Sequence, residues 1–200
     1  MPHISSPHRI KIDRSALLVI DLQEKLVPVI PSGEAVVLEA IRLLKAAQLL
    51  GVPTAATVQY PKGLGPLVEP LTEFFPEPEE KLAFSAAVCR DSLDAWANEG
   101  RDQIIVVGIE THVCVQQTVL DLIAEGQRPY VVAEAVAARH GRDHETALRR
   151  MQSTGATITS AESVLFEWLE SSQHDSFKQI SQLVKDHQPP RRPGPPKGRR

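Results

Sequence analysis

The sequence predicts a three-layer, Rossmann-like α/β fold, with a mainly parallel central sheet of about six strands covered by helices on both faces. Three observations predict it. Ala16-Leu17-Leu18-Val19-Ile20 and Ile104-Ile105-Val106-Val107 are apolar without alternation, as strands buried on both faces require. Stretches with helical spacing separate such runs. The 200 residues suit one domain with a full core, and no internal repeat points to another architecture.

The first strand, Ala16 to Ile20, ends at Asp21. Glu34 to Leu50 follows as a helix, with Val37, Ile41 and Leu44 on one face and Ala40, Leu43, Ala47 and Leu50 beside it; Gly51 is the expected C-terminal cap. Pro53 to Val58 predicts a short strand, and the proline- and glycine-rich stretch from Tyr60 to about Glu80 a loop. A helix is expected over Asp91–Asn98, a strand over Gln103–Val107 and a helix from His112 to about Glu125. Pro129–Ala133 reads as a strand, Asp143–Ser153 as a helix and Ala156–Ile158 as a last short strand. Ala161–Glu170 and Ser176–Asp186 are expected to be terminal helices.

Composition narrows the function classes. Two cysteines, Cys89 and Cys114, are too few for a disulfide framework and suit a reducing compartment. Met1 to His8 holds no apolar core of signal-peptide length, and no apolar run is long enough to cross a membrane. A cytoplasmic protein without membrane contact is expected. A formal net charge of -3 gives no global drive toward nucleic acid. The domain is expected over residues 15–187, after an N-terminal extension (1–14) and before a basic, proline-rich disordered tail (188–200). That tail is expected to be solvated; its sharper reading is an accessory arm for RNA, acidic surfaces or a partner.

In a doubly wound parallel sheet, ligands sit at the carboxyl ends of the strands, near the switch in strand order. Two polar features fall there: Asp21, and the turn Gly108-Ile109-Glu110-Thr111-His112-Val113-Cys114. With Thr111 as N-cap, Cys114 occupies the third helical position, where a free N–H and the helix dipole favour the thiolate. Read this way Cys114 is a nucleophile; read otherwise it is a small buried hydrophobe. Asp21 is a candidate base, and Lys81 a candidate partner for it. Taken singly, Asp21 also reads as a turn cap and Lys81 as a surface lysine.

The three segments Val19-Ile20-Asp21-Leu22-Gln23, Lys81-Leu82-Ala83-Phe84-Ser85 and Gly108-Ile109-Glu110-Thr111-His112-Val113-Cys114-Val115 together resemble the isochorismatase-like cysteine hydrolase superfamily. Nicotinamidases and N-carbamoylsarcosine amidases belong to it. Ala135-Val136-Ala137-Ala138-Arg139 and Ser163-Val164-Leu165-Phe166-Glu167-Trp168-Leu169 resemble its isochorismatase-domain-containing branch, whose substrate is unassigned. The resemblance implies a catalytic triad of Asp21, Lys81 and Cys114, with a thioester formed on Cys114. It also implies a cis peptide at Ile109–Glu110, and an oxyanion hole built from the backbone N–H groups of Glu110 and Cys114. Family members are commonly oligomeric, so a homo-oligomer is expected.

Departures from relatives refine the expectation. Metal-binding nicotinamidases carry an Asp-x-His pair after the second strand; Thr57 to Pro66 here holds neither histidine nor aspartate, so no metal and no cofactor is expected. Gln59 reads as a substrate hydrogen-bonder or a strand-end polar residue, and Phe84 as a pocket or core phenylalanine. His112, two residues before Cys114, is expected on another face as a pocket-rim or interface residue. Cys89 lacks a motif and is expected to be structural. The leading function is a metal-independent cysteine hydrolase of a small amide or related C–N bond. The alternative is a binding or scaffold protein that keeps the fold with little or no turnover.

Overall fold

β1 (Ser15–Ile20) is buried along its whole length, because both of its faces are covered. Its odd and even residues enter different cores. Leu17 and Val19 pack in one, and Ala16, Leu18 and Ile20 in the other. The computed structural model describes residues 6–186. The remaining chain alternates helices and strands: α1 (Gly33–Leu50), β2 (Thr54–Gln59), α2 (Pro61–Leu64), α3 (Glu69–Thr72), β3 (Glu79–Lys81), α4 (Arg90–Asn98) and β4 (Gln103–Ile109). After a π-helical turn at Thr111–Val115 come α5 (Gln116–Ala124), β5 (Arg128–Ala137), α6 (Gly141–Thr154), β6 (Thr157–Thr159), α7 (Ala161–Leu169) and α8 (Phe177–Asp186).

The strands form one parallel sheet in the order β3-β2-β1-β4-β5-β6. α1, α7 and α8 bury Leu43, Trp168 and Ile180 against one face. α4, α5 and α6 bury Trp96, Val119 and Met151 against the other. The three-layer architecture is the expected one. Gly51 closes α1 in the left-handed conformation, with φ 69° and its N–H on the Ala47 carbonyl.

The stretch from Tyr60 to Glu80 differs from the expected plain loop: it holds two short helices and the start of β3. Glu79-Glu80-Lys81 has no apolar pattern; it becomes a strand by pairing with the edge of β2, Gln59 opposite Lys81. Residues 6–14 extend beyond the first strand yet are not detached. Ile10 is fully buried, and its N–H donates to Glu167 Oε2 at 2.6 Å. The tail at 188–200 lies outside the described residues.

β1 and β4 are neighbours, with chain leaving them toward opposite sides of the strand order, so their carboxyl ends form the switch point. Gly108 permits their close approach there. Its φ is +125°, and a Cβ on it would stand 2.1 Å from the Ile20 carbonyl oxygen. Gly108→Ala is therefore expected to destabilise the fold by about 3 kcal/mol, read as a lower urea midpoint. A midpoint equal to the parent's would show that β1 and β4 can separate at little cost.

Candidate active site

Asp21 leaves the end of β1 in the left-handed region, at φ 53°. Its N–H still donates to the Thr57 carbonyl at 3.1 Å, so the turn stays attached to β2. This holds the carboxylate beneath the carboxyl ends of β1 and β2. Asp21 Oδ1 accepts from the Thr57 hydroxyl at 2.8 Å, and Oδ2 from Lys81 Nζ at 2.6 Å. The aspartate and lysine side chains have no solvent exposure.

Lys81 reaches this point because β3 lies at the sheet edge, one strand beyond β2. Its ammonium also donates to Gln59 Oε1 at 2.8 Å and to the Phe84 carbonyl at 2.9 Å. Gln59 Nε2 in turn donates to the Leu82 carbonyl at 2.8 Å. Gln59 itself is fixed through its backbone N–H, which donates to Gln23 Oε1 at 2.8 Å. A buried ammonium is tolerable only when its charge and its three protons are answered, and here they are. The carbonyls of this loop turn inward to do so, while Phe84 stays 52% exposed. Its ring is therefore no core phenylalanine, which corrects that reading of the sequence.

Cys114 completes the cluster from the turn after β4. Its buried thiol is near enough to Asp21 and Lys81 to feel both of their charges. Thr118 anchors this turn: its hydroxyl donates to the Cys114 carbonyl at 2.6 Å and accepts from the Ala86 N–H at 2.7 Å. The link joins the helix start to the loop around Lys81.

Two local expectations are corrected. Glu110, not Thr111, is the N-cap, and the first turn is π-helical before α5 begins. The Val113 and Val115 N–H groups both return to the Glu110 carbonyl, at 3.0 and 3.3 Å. The Ile109–Glu110 peptide is cis. The resting thiol is also not acidified. Burial pushes it from an ordinary 9.0 up to about 12; the charge of Asp21 pushes the same way, and Lys81 opposes both. Desolvation of an anion with a carboxylate beside it outweighs the dipole of the helix start. Cys89 is raised to about 11, chiefly by burial and then by Glu79.

His112 faces α6 rather than the thiol: its Nε2 lies 4.0 Å from Asp143 Oδ2. Its Nδ1 is buried without a hydrogen-bond partner among the described residues. Among the described residues no three His, Cys, Asp or Glu side chains form a group able to hold a metal ion. No helix among the described residues is long and apolar enough to cross a membrane.

Gln59 stood out in the sequence, but its side-chain amide is engaged by Lys81 and the Leu82 carbonyl; the rest of the polar frame, Gln23 and the carbonyls of residues 82–84, was not expected. Gln23 was the available signal, as an amide immediately beyond a fully apolar strand and Asp21-Leu22.

Chemically, the cluster sets a buried thiol beside a buried carboxylate and a fixed cation. Comparison with known proteins gives consistent matches. Residues 15–163 match the family model described as the isochorismatase domain. Isochorismatase domain-containing protein 2 of Danio rerio is 36% identical over 178 residues, covering 88% of this chain and 89% of that protein. A Caenorhabditis elegans structure described as MAR1 ribonuclease superimposes with a TM-score of 0.84 at 35% identity, covering 96% of this chain and 99% of that one. The Escherichia coli YcaC product, described as an octameric hydrolase of unknown specificity, gives 0.81 at 25% identity, covering 92% and 93%.

Proposed function

The chain belongs to the isochorismatase family of hydrolases, and from that premise we propose that it is a metal-independent cysteine hydrolase acting on a small amide or related C–N bond. The observation that supports this is the meeting of Asp21, Lys81 and Cys114, delivered by three separate parts of the chain. A buried ion pair placed beside a buried thiol is costly scaffolding for a protein that only needs packing.

In this reading Cys114 Sγ attacks the amide carbonyl as Asp21 takes the thiol proton. The thiol remains neutral until that moment, as its raised pKa requires. The negative oxygen of the tetrahedral intermediate is held by the backbone N–H groups of Glu110 and Cys114. Asp21 returns its proton to the departing nitrogen, leaving a thioester on Cys114. Water then attacks the thioester, passing a proton through Asp21 and restoring the thiol. Lys81 holds Asp21 in place and supplies the charge that favours the sulfur anion. Gln59 steadies Lys81, and the exposed Phe84 ring borders the substrate entrance.

The same proposal includes a cytoplasmic location and a homo-oligomer; the octameric E. coli relative supports the latter. Release of ammonia or amine from a panel of small amides is the test. We expect turnover of at least one amide by the parent protein and none by Cys114→Ala at equal folded fraction. The likeness to a protein described as a ribonuclease makes a phosphodiester the second reading. Cleavage of a single-stranded RNA oligomer that survives in Cys114→Ala, with no amide turned over, would move the assignment there. No turnover of either, together with equal labelling of Cys89 and Cys114 by acyl probes, would leave the scaffold reading.

A further inference from the structure

Resting on the hydrolase reading above, we infer that Arg139 is a positioning residue that holds the Glu110 N–H at the oxyanion position. β4 and β5 pair up to their ends across a register shift between Val106 and Gly108, which leaves Ile109 opposite Ala137. The chain leaving β5 therefore passes beside the turn leaving β4. Arg139 makes three hydrogen bonds to the Glu110 carboxylate there. Its backbone N–H donates to Oε2 at 3.0 Å, and its Nε lies 3.1 Å from Oε1 and 3.2 Å from Oε2.

Glu110 is thus gripped at two points. Its carboxylate is fixed by Arg139, and its carbonyl accepts the Val113 and Val115 N–H groups. The N–H lies between these anchors and cannot reorient without breaking one of them. The carboxylate is 11% exposed and the Arg139 side chain 55% exposed. An ion pair with one side so open contributes little to global stability, so its use is local. It fixes a donor in advance of the charge that donor must meet.

The test separates attack that builds an oxyanion from attack that does not. With p-nitrophenyl acetate, a bond forms between Cys114 Sγ and the acetyl carbon. The carbon–oxygen bond to nitrophenol breaks, and the thiol proton leaves on the released nitrophenol. That path passes through a tetrahedral oxyanion. Iodoacetamide is attacked at a saturated carbon and loses iodide, with no oxyanion. Both modifications of Cys114 are followed by intact and peptide mass spectrometry on the full chain.

Arg139→Ala is expected to lower acetylation of Cys114 roughly tenfold, part of the loss that deleting a whole donor brings, and to leave its alkylation unchanged. Arg139→Lys, which keeps a cation and the backbone bond, should recover part of the loss. Glu110→Gln, which keeps the shape of the turn and loses the charge, should fall in the same direction and serves if Arg139→Ala does not fold. Equal losses of acetylation and alkylation, or neither loss, would overturn the inference. Acetylation of parental Cys114 no faster than that of Cys89 would instead defeat the hydrolase reading and this inference with it. A parental protein selective at Cys114, with the ratio retained in Arg139→Ala and Glu110→Gln, would defeat this inference alone.

Discussion

Asp21→Asn is expected to abolish turnover while making the Cys114 thiol easier to ionise. The two effects follow from separate roles of one carboxylate. Its negative charge is among the causes that raise the thiol, second only to burial. Removing that charge lowers the thiol from about 12 toward its ordinary range, and iodoacetamide labelling of Cys114 should begin at lower pH. Hydrolysis needs more than an accessible sulfur anion. Asparagine cannot take the thiol proton or return it to the leaving nitrogen, and loss of such a base costs about 100- to 10,000-fold. The measurement is a pair of profiles on one protein: the alkylation rate of Cys114 against pH, and amide turnover at fixed pH. Faster alkylation with lost turnover is the expected pair. Turnover equal to the parent's would remove Asp21 from the proton path and require another base.

Lys81→Met is expected to produce the largest loss of stability, about 3–5 kcal/mol, because it strands a buried aspartate. Both partners are fully removed from solvent. The same substitution also leaves Gln59 Oε1 and the Phe84 carbonyl without the donor they share. Urea unfolding with an unchanged m-value is the appropriate measurement. The double variant Asp21→Asn, Lys81→Met should recover part of this loss, since no uncompensated charge is then buried. A single Lys81→Met within about 1 kcal/mol of the parent would mean that water or a neighbouring group answers Asp21. The thiol gives an independent check: Lys81 pulls it downward, so its loss should shift the onset of Cys114 alkylation to higher pH.

The order and kind of the elements were legible because burial leaves a local record. Leu17, Leu18 and Val19 are apolar in succession because β1 has a core on each side. Ala40, Leu43 and Ala47 share a face of α1 for the same reason. β3 left no such record. Its three residues are charged, and their strand geometry comes from the β2 edge. Phe84 illustrates the same limit from the other side. Its backbone is drawn inward by Lys81, so its ring is turned out, against its hydrophobic character.

By itself the sequence determined the layered α/β architecture, the two strand ends at which polar groups could gather, and the residue types placed there. Tertiary structure alone decided that Asp21 and Lys81 pair beside Cys114, that Glu110 rather than Thr111 caps the turn, and that the thiol is held neutral. The physical reason is range. Hydrophobic periodicity and capping act within a few residues, so a linear reading carries them. Desolvation and Coulomb interaction sum over everything nearby in space, and here they set a local dipole against burial and a carboxylate brought from another strand, with the opposite sign.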